Sequence, residues 1–209
     1  MMSKPFVLIN SAITADGKLS TREKMQIEIS SKEDFERVKR LREKFDAIMV
    51  GVGTVLADNP SLKGNIIRVV ADSGGKTPLN SKVLNGSNRA IIALSERAPR
   101  DKRVALEEKA EVLVCGEEKV DLNLLLEKLG SLGISKLMVE GGGTLNWSFF
   151  AEELVDQLYT YIGNFVVGGK RAPTLVDGEG VREKEEAFEL ELSDMQRLGE
   201  GVLLKWDVK

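Results

Sequence analysis

The sequence predicts an α/β fold: a mainly parallel central sheet flanked by helices and closed by an antiparallel C-terminal hairpin. Three observations point to it. Apolar, β-branched runs such as "IIRVVAD" and "RAIIALS" have the composition of strands covered on both faces. Segments with helical spacing separate such runs, so strands and helices alternate through most of the chain. The last stretch, "AFELELSDMQRLGEGVLLKWDV", holds two alternating segments around a polar turn. No long linker or internal repeat interrupts the 209 residues, so a single domain over residues 1–209 is expected.

The elements follow in order. "FVLINSAI", residues 6–13, reads as a strand, and "TADGKLS" as a turn, because Asp-Gly favours one. In "ISSKEDFERVKRLREKF", Ser30 and Glu33 have capping-box spacing, and Phe35, Val38, Leu41 and Phe45 recur at helical spacing. "AIMVGVGTVLADNPSL" reads as a buried strand, a glycine-punctuated turn and an Asp-Asn-Pro loop. "AEVLVCG" is a further strand. "DLNLLLEKLGSLGI" is a helix with Asp121 as N-cap and Gly130 or Gly133 at its end. "KLMVEG" is a strand, "TLNWSFFAEEL" a helix and "QLYTYIGNFVVGG" a long strand.

Composition excludes several classes. The net charge is −3 and the pI about 5.3, which argues against bulk affinity for nucleic acid or an anionic membrane. No apolar run approaches the ~20 residues of a spanning helix. The N-terminal "MMSKPFVLINSAITADGK" lacks a small-residue cleavage site, so the cytoplasm is expected. Cys115 is the only cysteine, which rules out an internal disulfide and a cysteine zinc site. With no histidine, Ser-His-Asp and Cys-His hydrolases are excluded. Proton chemistry falls to carboxylates, Lys, Tyr or water, and no metal is expected.

Two glycine turns could carry chemistry. In "VEGGGTLNW", Gly141, Gly142 and Gly143 follow a strand and precede a helix, where backbone N–H groups can cradle a phosphate. Glu140 ends the strand, where burying a carboxylate is expensive unless it is paired or bonded to a ligand. In "VGVGTVLADNP", Gly51 and Gly53 flank Val52, followed by Thr54, Asp58 and Asn59. Spacing alone weighs a structural turn and a ligand cradle equally there. Together the two turns suit one elongated ligand, as a dinucleotide is. Arg37, Arg40, Arg42 and Lys44 end a helix that Glu33 and Asp34 begin, complementing its dipole; one base could still turn inward to a phosphate. Asp16 reads as a turn former, and Cys115 and Trp147 as packing residues.

The segments "VLINSAITADGK", "RLREKFDAIMVGVGTVLADNPSL", "RVVADS" and "MVEGGGTLNWSFFAEELVDQLYTYIGNFVVGG" together resemble the reductase of riboflavin biosynthesis, nearly end to end and in order. The resemblance implies a dihydrofolate-reductase-like fold and reduction of the ribose of a diaminopyrimidinone ribosylamino 5′-phosphate to ribitol by hydride from NADPH. It implies the stand-alone archaeal and fungal type, which reduces before deamination, because the chain has no histidine or paired cysteine for a zinc deaminase. Ala12, Thr54, Asp58 and Ser73 match NADPH-contacting positions, as does the glycine loop through Thr144, Leu145 and Asn146. Asn10, Arg42, Leu62 and Glu140 match substrate-contacting positions; bacterial-type members often carry Lys where Asn10 stands. Arg42 is expected to anchor the 5′-phosphate, Glu140 to bind ribose hydroxyls or ring amines, and Asp58 or a water to deliver a proton. Lys63 or Arg68 is the candidate for a second phosphate contact. The cofactor is NADPH, with NADH open; Arg97 and Lys102 are the candidates for a 2′-phosphate contact. A homodimer is expected. The competing readings are a reductase of the deaminated pyrimidine, a dihydrofolate reductase and a non-catalytic NADPH-binding protein.

Overall fold

A computed structural model describes residues 4–209; Met1, Met2 and Ser3 lie outside the described residues. Nine strands form a mostly parallel sheet with flanking helices and an antiparallel C-terminal pair. The chain groups into two compact units: the described residues up to Phe6 with Arg42–Met138, and Val7–Leu41 with Val139–Lys209.

In the first unit, β2 (Ala47–Gly51), β3 (Ile67–Ala71), β4 (Ala90–Leu94) and β5 (Glu111–Val114) pair in parallel in the order β5-β4-β3-β2. Ile48, Met49, Val69, Ile91 and Ile92 are fully buried, as the unbroken apolar runs require of a sheet covered on both faces. Helix α2 (Val52–Asp58) packs on β2 and α3 (Arg100–Glu107) on β5. The turn read after β2 is therefore the start of a helix, and α3, with Pro99 before its first residue, was not foreseen. Helix α4 (Leu122–Ser131) is capped as expected: Asp121 accepts from Leu124 N at 2.9 Å, and Gly133 closes the end with φ +85°. Strand β6 (Lys136–Val139) starts where Asp46 accepts from Ser135 N, Ser135 Oγ and Lys136 N at 2.8–2.9 Å.

In the second unit, β1 (Phe6–Ile13) pairs in parallel with β7 (Gln157–Ile162), and the antiparallel β9 (Gly201–Val208) and β8 (Leu190–Leu198) follow. Strand β7 stops at Ile162, short of the strand read through Gly169. A Cβ on Gly163 would meet Ile29 O at 3.0 Å, and beyond it Val167 and Gly168 turn their N–H groups to the Asp16 carboxylate at 3.1 and 2.7 Å. Asp16 is thus the turn former expected of it. Helix α1 (Lys32–Arg42) is capped one residue later than the box suggested, because Ser31 Oγ accepts from Asp34 N at 3.3 Å. Its periodic apolar residue Phe35 is 51% exposed; the inward group is Asp34, bonded by Ser30 Oγ and Arg37 Nε.

Helix α5 (Gly143–Ala151) explains two of the three consecutive glycines structurally. Gly141 has φ +85°, and the Gly141–Gly142 peptide is cis. A Cβ on Gly143 would run into Thr174 O and lie 2.8 Å from Asp177 Oδ2. Gly142, the N-cap, has φ −72° and ψ −171°, which other residues also adopt.

Two outcomes follow. Gly143→Ala is expected to destabilise the fold by about 3 kcal/mol, the upper end for overpacking, because the obstruction includes backbone; an unchanged urea midpoint would contradict the close approach. Asp16 is held down to about 2 from 3.8, chiefly by the Thr14 hydroxyl and then by the Val167 N–H. A depressed carboxylate stabilises the fold above its unfolded value and loses that contribution as pH falls through the folded one. Asp16→Asn should therefore cost stability at pH 5 and progressively less from about pH 4 to 2, measured by denaturation at each pH. A pH-independent difference between the two proteins would refute this.

Candidate active site

In the first unit, the carboxyl ends of β2 and β3 lie side by side, Gly51 opposite Ala71. Parallel strands present their ligands at such ends. The chain enters α2 directly from β2, and a Cβ on Gly53 would meet nothing within 4 Å. Thr54 and Asp58, four residues apart on α2, share a helix face and are half-buried. Burial pushes the Asp58 carboxyl above its ordinary value, so it holds its proton to higher pH. Asn59 closes the helix in the left-handed region, and its Oδ1 accepts from Lys82 N at 2.8 Å.

Leu62 is buried with φ +43°. Beside it, Arg42 Nη1 donates to the backbone carbonyl of Lys63 at 3.3 Å. Arg68 does not join them. It is 3% exposed, and its guanidinium donates to Asn85 O and Asn88 O, each at 2.5 Å, and to Lys82 O at 3.4 Å. That commits it to shaping the 82–88 segment. Ser73, just past β3, accepts from Val120 N at 2.9 Å through Oγ, while its carbonyl accepts from Ser95 Oγ at 2.8 Å.

In the second unit, Asn10 and Ala12 alternate along β1 and so share a face. Asn10 is buried, and its Oδ1 has no donor among the described residues. Ala12 packs against the cluster of Ile29, Tyr161 and Leu203. Glu140, half-buried, leaves β6 directly before the glycines. Beyond them Thr144 is exposed and Leu145 and Asn146 are buried. Asn146 Nδ2 donates to Leu175 O at 2.7 Å, while its Oδ1 lacks a donor and its amide lies 3.5 Å from where a Gly141 Cβ would stand.

A segment that sequence reasoning does not single out closes on these glycines. Thr174 N donates to Asp177 Oδ2 at 3.0 Å, Thr174 Oγ1 donates to Asp177 Oδ1 at 2.5 Å, and Asp177 N donates to Gly143 O at 3.0 Å. Its one local signal is the Asp177-Gly178 dipeptide. Among the described residues, no group of three or more Cys, Asp or Glu is arranged to hold a metal, and no helix is long and apolar enough to cross a membrane.

Comparison with known proteins identifies the family. The family described as the RibD C-terminal domain matches residues 5–204. A Methanothermobacter thermautotrophicus protein named 2,5-diamino-6-ribosylamino-4(3H)-pyrimidinone 5′-phosphate reductase is 45% identical, with 99% of each chain covered. A protein of the same name from Archaeoglobus fulgidus is 41% identical over 95% of each. Among solved structures, the riboflavin biosynthesis reductase Rib7 of Saccharomyces cerevisiae superposes with a TM-score of 0.76 at 25% identity, covering 99% of this chain and 90% of that one. RibD of Acinetobacter baumannii superposes with a TM-score of 0.81 at 18% identity, sharing the fold; this chain spans 58% of that longer protein. With residues 5–204 matched and two relatives above 40% identity along almost their whole length, the chain belongs to the RibD C-terminal domain family.

Proposed function

We propose that the chain, acting as a single reductase domain, catalyses the NADPH-dependent reduction of the ribose of 2,5-diamino-6-ribosylamino-4(3H)-pyrimidinone 5′-phosphate to the ribitylamino product. The observation that carries this is the 45% identity, over 99% of both chains, to a protein named for that substrate. Each unit holds features that suit a part of a dinucleotide: open space over Gly53 in the first, and in the second a nine-residue helix starting at Gly143 and the unpaired buried amide oxygen of Asn146.

NADPH supplies a hydride when bound, and every other task falls to side chains and backbone. Thr54, Asp58, Ser73, Ala12 and the loop Gly141–Asn146 are assigned to the cofactor. Arg42, which also donates to the Lys63 carbonyl, is assigned to the 5′-phosphate, which fixes the position of C1′. A ribosylamine opens to an imine whose C1′ is electrophilic without a metal. Glu140 binds ribose hydroxyls or ring amines, and Asn10 and Leu62 complete the substrate contacts. Asp58, its carboxyl raised by burial, is the proposed proton source. The cytoplasm is the proposed location.

A homodimer is also proposed. Every residue of the edge strand from Leu190 to Arg197 is exposed in the single chain, including the apolar Leu190, Leu192 and Met195. Long exposed edges of this kind invite pairing. Sedimentation at micromolar concentration should give twice the 23.0 kDa chain mass, and Met195→Lys should weaken that association; a monomer would overturn it.

The reductase reading is tested by NADPH oxidation with the diamino substrate, its deaminated analogue and dihydrofolate side by side. Oxidation with the diamino compound alone is expected. Turnover of only the deaminated compound would reverse the order of the two steps, and silence with all three despite NADPH binding would favour a non-catalytic role. Glu140→Ala should lower kcat roughly 10- to 100-fold, the worth of a charge-assisted hydrogen bond. Arg42→Ala should act mainly on the substrate KM. A folded Glu140→Ala protein with full activity removes that assignment.

A further inference from the structure

We propose that Arg68 is a positioning residue for the substrate end of the site. Through the 82–88 segment it fixes the 59–64 segment, and with it the backbone carbonyl against which Arg42 is set. The inference rests on the reductase reading, in which Arg42 and Leu62 meet the pyrimidine phosphate. All of these residues belong to the first unit.

Arg68 is the second residue of β3 and is 3% exposed. Burying a cation is expensive unless hydrogen bonds answer it. Here backbone carbonyls do so: Asn85 O and Asn88 O at 2.5 Å each, and Lys82 O at 3.4 Å. A Cβ on Gly86, which has φ +104°, would stand 3.9 and 4.0 Å from the two terminal nitrogens, so the segment wraps over the guanidinium. The guanidinium is planar and its N–H directions are fixed, so it dictates where these carbonyls lie relative to one another. A lysine ammonium on a flexible stem imposes no such spacing.

The wrapped segment in turn fastens 59–64 at both ends. Lys82 N donates to Asn59 Oδ1 at 2.8 Å, and Asn88 Nδ2 donates to Gly64 O. Between those ends the backbone holds conformations it does not favour by itself: Asn59 and Leu62 each have φ +43°, and Gly64 has φ +131°. A leucine stays in the left-handed region only where its surroundings over-determine it. Leu62 is 4% exposed, and the next carbonyl, Lys63 O, accepts from Arg42 Nη1 at 3.3 Å. Contacts therefore run without a gap from Arg68 to the arginine assigned to the 5′-phosphate. Loosening them displaces a binding group, and small displacements of such groups are felt in the reaction.

The test is steady-state kinetics of the full chain with NADPH and the diamino substrate, for wild type, Asn88→Ala, Asn59→Gly and Arg68→Lys. The NADPH Kd by calorimetric titration and the Tm are measured beside it. The first two variants each remove one fastening and leave Arg68 in place; glycine keeps the left-handed backbone at position 59. Each should raise the KM of the pyrimidine phosphate roughly three- to tenfold, the worth of one hydrogen bond, with the NADPH Kd unchanged. Arg68→Lys, which keeps the charge and loses the fork, should raise it as well. Added to Arg42→Ala, Asn88→Ala should change KM by less than about twofold, because the two act on one contact chain. A fall of kcat and Tm together with KM unchanged would mark a merely structural role and overturn the proposal. So would the full KM effect of Asn88→Ala in the Arg42→Ala background. If wild type oxidises NADPH with no pyrimidine phosphate, the reductase reading falls, and this inference with it.

Discussion

Carboxylates bonded to backbone N–H groups hold this structure at its joints. Asp16 ties the turn after β1 to Val167 and Gly168. Asp156 takes Val7 N at 2.6 Å, returns its own N–H to Val7 O, and so fixes where β1 and β7 start side by side. Asp46 does the same for the start of β6, and Asp72 closes the turn after β3. The reason is geometric. Parallel strands cannot be joined by tight hairpins, so every strand ends in a connection whose backbone groups need partners. A short ionised carboxylate can accept two or three of those N–H groups at once, and such bonds are about twice as strong as neutral ones.

These clamps allow glycine where the chain must approach something closely. A glycine turn without a clamp would be entropically loose. Gly75 is held by Asp72, and Gly143 by the Thr174–Asp177 contact. The same division appears within the three consecutive glycines. Gly141 satisfies a left-handed backbone and Gly143 a close approach of chain to chain, which leaves Gly142 as the residue whose lack of a side chain neither of these constraints explains. Two of the three glycines thus meet a requirement of the chain itself, besides whatever their N–H groups offer a ligand.

What was legible in the sequence follows the strength of the local signal. The strands of the first unit read directly, because burial on both faces demands β-branched runs with no polar interruption. Asp121 read as a cap because the capping bond is local. Helix α3 did not read: its apolar content is small, and Val104 stays 48% exposed, so no periodic stripe marks it. The end of β7 is set by Ile29 and Asp16, more than a hundred residues away in sequence, which no window of neighbours reveals. The same limit applied to Arg68. As a base near a glycine-containing loop it looked available to a phosphate, yet its charge is answered by carbonyls of 82–88.

The division of labour among carboxylates also bears on the proton. A carboxylate accepting N–H bonds has its charged form stabilised and is a poor acid near neutrality. Thr14 and backbone donors hold Asp16 down; against the effect of burial, Ser135 and Lys136 do so for Asp46, and Lys205 for Asp194. Asp58 differs in kind. It ends a short helix, half-buried, and desolvation pushes its carboxyl up. In a chain with no histidine, a carboxyl shifted toward neutrality by burial is the physically reasonable proton donor. The bonds that make Asp16 and Asp46 good clamps disqualify them from that task, so these two turn-building residues and the residue proposed for the proton are separated by their environments.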